Sequence, residues 1–201
     1  MVHLLLSSSL LWAEDWPSWL GPDGTGVSTE SGWKNNLEEQ AWKAKVGVGF
    51  STVSVAEERV YTMGHDGRKS GGNETVYCLD AKTGKVVWTH SSPAPLLDYL
   101  HEGGPCSTPT VDGSTVYALS KNGILHAYEA KDGKVLWKKE MMKEAGMRRP
   151  PEWGFAASPS LLGDLLLIEA GATFALDKKT GETKWKSQTY RAAYGSPTSF
   201  K

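Results

Sequence analysis

Apolar and polar residues alternate with period two in short runs along most of this chain, and each run is closed by a pair such as Asp-Gly or Asn-Gly. Residues 106–111, 115–119, 124–128 and 134–138 are four such runs, separated by Asp112-Gly113, by the turn ending at Gly123 and by the turn ending at Gly133. Period two places alternate side chains on opposite faces of an extended strand, and runs of four to six residues are strand-sized. Asp-Gly and Asn-Gly supply the positive φ that tight hairpins need. Together they predict a four-stranded antiparallel meander. A helical solenoid would need apolar residues at 3.6-residue spacing, and Gly and Pro cut these runs too often for that.

The same meander recurs. Residues 76–88, 125–137 and 173–185 are versions of one sentence, and their closing residues Trp88, Trp137 and Trp185 stand 49 and 48 residues apart. Trp42 stands a further 46 residues upstream of Trp88. Four strands at this period are the signature of a propeller blade, so the fold class is all-β, a β-propeller of four-stranded antiparallel blades. Blades run roughly over 47–88, 105–137 and 155–185, and residues 194–200 restate the Ser-Pro openings at 105–111 and 156–162, so another blade starts near 194. Three blades and a fraction do not close a ring, which predicts a longer protein. The strand at about 39–46, around Trp42, has the outer-strand pattern with no blade before it. That is what a ring sealed by its own first strand would show.

The repeated residues have a packing logic. A Trp on each outer strand can fill the gap to a neighbouring blade while its indole N–H finds a backbone acceptor. Asp80 and Asp177 can accept backbone N–H groups two or three residues on, and Gly84, Gly133 and Gly181 can take the turn conformation. These residues are read as structural.

The pattern Leu-Asp-x-x-Thr-Gly-x-x-x-Trp at 79–88 and 176–185, with Gly-Pro-Cys-Ser-Thr-Pro-Thr-Val-Asp-Gly opening a blade at 104–113, resembles the pyrroloquinoline-quinone-type (PQQ-like) propeller family. The middle repeat departs from it, with Glu129 for Asp and Asp132 for Thr. The resemblance covers residues 37–201 and implies fold, since the family holds both quinoprotein alcohol dehydrogenases and the non-enzymatic BamB-type scaffold of outer-membrane protein assembly. A dehydrogenase of that family would be expected to offer a vicinal Cys-Cys pair, acidic and amide calcium ligands, a catalytic Asp and a Trp floor under the quinone. Cys78 and Cys106 are 28 residues apart, and no acidic or amide residue here matches the family's calcium site.

The N-terminus adds a destination. Residues 4–12 form a short apolar run followed by Ala13-Glu-Asp15, too short for a membrane span and suited to a secretory signal ending near residue 13. No Cys follows it to carry a lipid. Residues 14–36 form a Trp/Gly/Pro-rich lead-in resembling the Trp-Pro-x-Trp-x-Gly-Pro segment that precedes many exported PQQ-like propellers. With 22 basic and 23 acidic residues scattered along the chain, net charge −1, there is no electrostatic footprint for nucleic acid or an anionic membrane. An exported chain could pair Cys78 with Cys106, but Cys78 occupies the place of Ala127 and Ala175, and a small buried thiol is the plainer reading.

Chemistry, if present, belongs in the joining loops. Three are long: 64–73 with His65 and Asp66, 90–105 with Asp98, Tyr99, His101 and Glu102, and 138–155 with Met141, Met142, Arg148, Arg149, Glu152 and Trp153. None shows ligand spacing, and these are read as solvated loop residues. No residue is assigned a catalytic, cofactor-binding or metal-binding role. The sequence favours a non-catalytic binding or scaffold module, exported to the periplasm or cell surface, facing protein, peptide or polysaccharide in the envelope, with no cofactor. The alternative is an oxidoreductase needing PQQ and calcium.

Overall fold

The computed structural model describes residues 14–31, 40–99 and 101–198. The segment at 1–13 expected to be a secretory signal and the end of the lead-in, 32–36, lie outside them.

Three four-stranded antiparallel sheets follow one another along the chain. The first orders β1 (Ser54–Ala56), β2 (Arg59–His65), β3 (Asn73–Asp80) and β4 (Val86–Pro93); the second β5 (Thr110–Asp112), β6 (Thr115–Leu119), β7 (Ile124–Glu129) and β8 (Val135–Glu140); the third β9 (Ser160–Leu162), β10 (Leu165–Glu169), β11 (Thr173–Asp177) and β12 (Thr183–Lys186). One helical turn, α1 (Met141–Glu144), follows β8. Each sheet is a blade in which sequence order equals strand order, as a meander requires. The opening strands are shorter than their sequence pattern: residues 106–109 belong to no ladder, and the Thr108 N–H bonds to Ser158 Oγ of the next blade instead.

Each outer-strand Trp faces a small residue across the ladder: Cys78 opposes Trp88, Ala127 opposes Trp137 and Ala175 opposes Trp185. The register shifts immediately after each of these pairs, so a bulge recurs at one place in every blade. A small side chain there leaves room for the indole, which explains why one of the three positions accepts a cysteine. Cys78 is fully buried and both cysteines are free thiols.

The indoles bond forward to the following blade. Trp88 Nε1–H donates to Ala130 O at 2.8 Å, and Trp137 Nε1–H donates to Lys178 O at 3.2 Å. Trp42 does the same to Ala81 O at 2.8 Å, although residues 41–47 form no strand, because their backbone joins no ladder. Each ring lies on the turn glycine of the receiving blade. Gly133 has φ +75°, and a Cβ there would come 2.6 Å from Trp88 Cε3. Asp80 Oδ1 accepts Thr83 N–H at 2.8 Å and the Thr83 hydroxyl at 2.6 Å, and Asp177 treats Thr180 alike. The departing middle turn keeps the Gly133 N–H to Glu129 O bond but is capped by Asp132, which accepts Lys134 N–H at 3.0 Å.

A second tie runs along the inner strands. Thr52 N–H donates to Thr108 Oγ1 at 3.3 Å, Thr108 N–H to Ser158 Oγ at 2.9 Å, and Ser158 N–H to Ser196 Oγ at 2.8 Å. The Ser and Thr residues that open the blades thus form a chain of backbone-to-hydroxyl bonds. The lead-in lies on the same inner edge: Trp16 pairs with Val55, and Pro17 O accepts Val111 N–H at 2.8 Å. Apolar cores fill both blade junctions, around Cys78, Trp88, Val116 and Tyr128, and around Leu125, Phe155, Leu166 and Phe174.

Candidate functional site

Alternating strand direction sends the β2–β3, β4–β5, β6–β7 and β8–β9 connections to one end of the blades. Most of the long loops gather there, and the structure sorts their side chains.

His65 is buried, contrary to its reading as a solvated residue, because β2 extends through it. Its Nδ1 accepts Gly67 N–H at 3.0 Å, and Nε2 bonds Ala94 O at 3.0 Å, so both nitrogens hold loops together. Asp66 takes two bonds from the Arg68 guanidinium, which holds its carboxyl well below the usual carboxylate range. Asp98 pairs with Lys69 at 2.7 Å, joining two of the three long loops. His101 accepts Gly103 N–H and meets the Phe50 ring edge-on, Tyr99 is exposed, and Met141 is fully buried in the core of the second junction.

The third loop behaves differently. Arg149, Pro150, Pro151 and Glu152 line one side of a cavity of about 570 Å³, and Tyr190, Arg191 and Tyr194 line the other. The second group was missed in the sequence, because it arrives from the following connection and carries no motif. Its wall is fixed from behind: buried Glu169 accepts Gly171 N–H at 2.8 Å and Ala193 N–H at 3.2 Å, while the Tyr190 hydroxyl bonds Thr173 Oγ1 at 2.8 Å. Tyr194 also packs against the Trp153 ring, with centroids 5.2 Å apart. Neither Arg149 nor Arg191 forms an ion pair among the described residues, and Tyr190 and Tyr194 line the cavity with them.

A cluster of different character lies between the first two blades. Glu74 is 2% exposed, and burial pushes its carboxyl up to about 7 against the Lys121 N–H and charge that favour ionisation. His126, pushed down to about 4 by burial and then by the charges of His90 and Lys138, stacks with Tyr128 and meets the His90 ring at a tilt. Among the described residues, no three His, Cys, Asp or Glu side chains gather to hold a metal ion, and no helix is long and apolar enough to cross a membrane.

Comparison with known proteins agrees with this architecture. A family profile described as outer membrane protein assembly factor BamB matches residues 27–200. Outer membrane protein assembly factor BamB of Burkholderia pseudomallei is 31% identical over 160 residues, 76% of this chain and 34% of that protein. Quinoprotein alcohol dehydrogenase PedE of Pseudomonas putida is 27% identical over 122 residues, 61% of this chain and 16% of that protein. Quinohemoprotein alcohol dehydrogenase from Comamonas testosteroni superposes with a TM-score of 0.61 at 19% identity, covering 86% of this chain and 27% of that one, a likeness of fold. The chain thus spans about a third or less of the length of these relatives. With its three meanders, their shared Trp-on-Gly turns and a profile match over most of its length, the chain belongs to the PQQ-like β-propeller family described as outer membrane protein assembly factor BamB.

Proposed function

We propose that this propeller is a non-catalytic binding scaffold of the bacterial cell envelope, exported and engaged with partner proteins as outer membrane proteins are assembled. The observation that carries the proposal is the loop-end cavity. Among the described residues its arginines form no ion pair, Tyr190 and Tyr194 line it beside them, and its wall is held by the third blade through Glu169 and Tyr190. Arg, Tyr and Trp are the residues on which protein interfaces concentrate their binding energy. The relatives described as assembly factors support the same reading.

The quinoprotein relatives favour a second reading, a PQQ- and calcium-dependent alcohol dehydrogenase. The quinone would supply hydride or electron acceptance. The donor set of the described residues does not fit it: no acidic ligand group converges, and Cys78 lies sealed against Trp88 rather than beside a second cysteine. No catalytic step is assigned to these residues.

The two readings separate experimentally. In the source organism, loss of the full-length gene is expected to lower outer-membrane β-barrel levels, with recovery by the wild type and poor recovery by Arg149→Glu/Arg191→Glu. Equal recovery by both would remove the cavity from the proposal. Calorimetry with PQQ and Ca²⁺ is expected to show no saturable uptake; stoichiometric quinone binding that is lost on chelation would favour the dehydrogenase.

A further inference from the structure

Lys121 is a lysine that folding has withdrawn from water. It sits in the turn between β6 and β7 with no exposed surface. Its backbone is tied on both sides, N–H donating to the Glu74 carboxylate at 3.1 and 3.3 Å and carbonyl accepting Phe155 N–H at 2.9 Å. Its stem runs beneath Gly154, where an added Cβ would come 2.3 Å from Lys121 Cγ. The chain therefore delivers the ammonium to one place, 3.6 Å from Cys106 Sγ, and that sulfur is its one hydrogen-bond partner among the described residues, with the Glu74 carboxyl within reach of its charge. A buried ammonium is costly unless an opposite charge answers it. Negative charge developing on a group that reacts at that sulfur would be answered at short range in a medium that screens poorly. Unlike Cys78, Cys106 is only partly buried, so small reagents reach it.

We propose that Cys106 is a peroxide-sensitive thiol whose reactivity is set by Lys121. Sulfur attacks one oxygen of hydrogen peroxide, the S–O bond forming as the O–O bond breaks. Sulfur gives up two electrons, and the departing hydroxide takes the thiol proton and leaves as water. The product is the sulfenic acid of Cys106. Lys121 acts electrostatically: its ammonium, beside the sulfur, faces the negative charge that develops on the departing oxygen as the O–O bond breaks, and takes no part in bond making. This site is independent of the loop-end cavity.

The test uses the 201-residue chain carrying Cys78→Ala, a change suited to a position that the other blades fill with Ala127 and Ala175, so that Cys106 is the sole thiol. Hydrogen peroxide is added with a 1,3-dicarbonyl sulfenic-acid trap, and adduct formation is followed by intact mass. Lys121→Met is expected to slow adduct formation about tenfold or more, while Lys121→Arg, which keeps the charge, stays within about threefold of the parent, as a short-range charge effect requires. An unchanged rate in folded Lys121→Met overturns the proposal. Should that variant not fold, Cys106 is compared with a thiol on the exposed face of β4, placed by Thr89→Cys in the Cys78→Ala/Cys106→Ser chain. Cys106 is expected to react faster despite its lower exposure; an equal or slower rate overturns the proposal.

Discussion

Truncating Trp88 to Ala removes a side chain that is 7% exposed, bonds Ala130 O at 2.8 Å, covers Gly133 and meets the rings of Tyr61 and Tyr128 at centroid distances of 6.1 and 5.8 Å. The loss combines transfer of a large apolar group with a cavity between two blades, about 3–5 kcal/mol. Trp88→Phe keeps much of the ring volume and loses the hydrogen bond, so its cost is about 1–3 kcal/mol. The chain contains its own control. Trp185 closes the same repeat opposite Ala175 but is 56% exposed, with no hydrogen bond or ring partner among the described residues. Trp185→Ala is therefore expected to cost within about 0.5–1 kcal/mol, as at other exposed positions. Urea unfolding of the 201-residue chain, followed by circular dichroism so that eight remaining tryptophans do not confuse the signal, gives each difference from the shift in midpoint at constant slope. If Trp185→Ala costs as much as Trp88→Ala, the indole stabilises its own blade rather than the junction, and the inter-blade account fails.

Three further outcomes follow from the geometry. Glu74 carries a folded-state pKa of about 7 against an ordinary 4.5, so the stability due to its proton is complete below about pH 4.5 and is lost as pH rises through about 7; the thermal midpoint should fall across that window, and Glu74→Gln should flatten the fall. Gly133→Ala meets both left-handed backbone strain and the Trp88 ring, whereas Gly113→Ala, at φ +53° with open space around it, meets the strain alone; chemical denaturation should rank Gly133→Ala as the worse by more than about 1 kcal/mol, and equal costs would mean the indole yields freely. Glu169→Ala removes the acceptor for Gly171 and Ala193 N–H; hydrogen exchange at residues 190–194 should quicken while β6 and β7 stay protected, and an unchanged Ala193 amide would show that the cavity wall is held by other means.

The blade architecture was legible because its signals are local. A Trp, an Asp-x-x-Thr-Gly turn and an alternating run fall within a dozen residues, and the equivalence of Cys78 with Ala127 and Ala175 already pointed to a small buried group. Contacts spanning blades left no such mark. Lys121 reads as an ordinary polar turn residue, and its burial depends on Glu74, 47 residues away, and on Phe155. His65 reads as a loop residue until the length of β2 is known, and Arg191 gains meaning only beside Arg149. The opening strands came out short for a related reason: the pattern of residues 106–109 is extended, but the Thr108 N–H is satisfied by the Ser158 hydroxyl of the next blade rather than by a ladder.

The inner-strand chain of bonds has a direction. Each link takes a backbone N–H from one blade and a hydroxyl from the next, so every middle blade is a donor toward one neighbour and an acceptor toward the other. Such head-to-tail joining differs from a self-complementary contact, because it sets no limit on the number of units and treats all units alike. A blade bearing both halves fits between any two others without a change in either. Gene duplication can therefore lengthen or shorten the series one blade at a time, and a lone Ser158→Ala substitution would remove a half-link without disturbing the order of the rest.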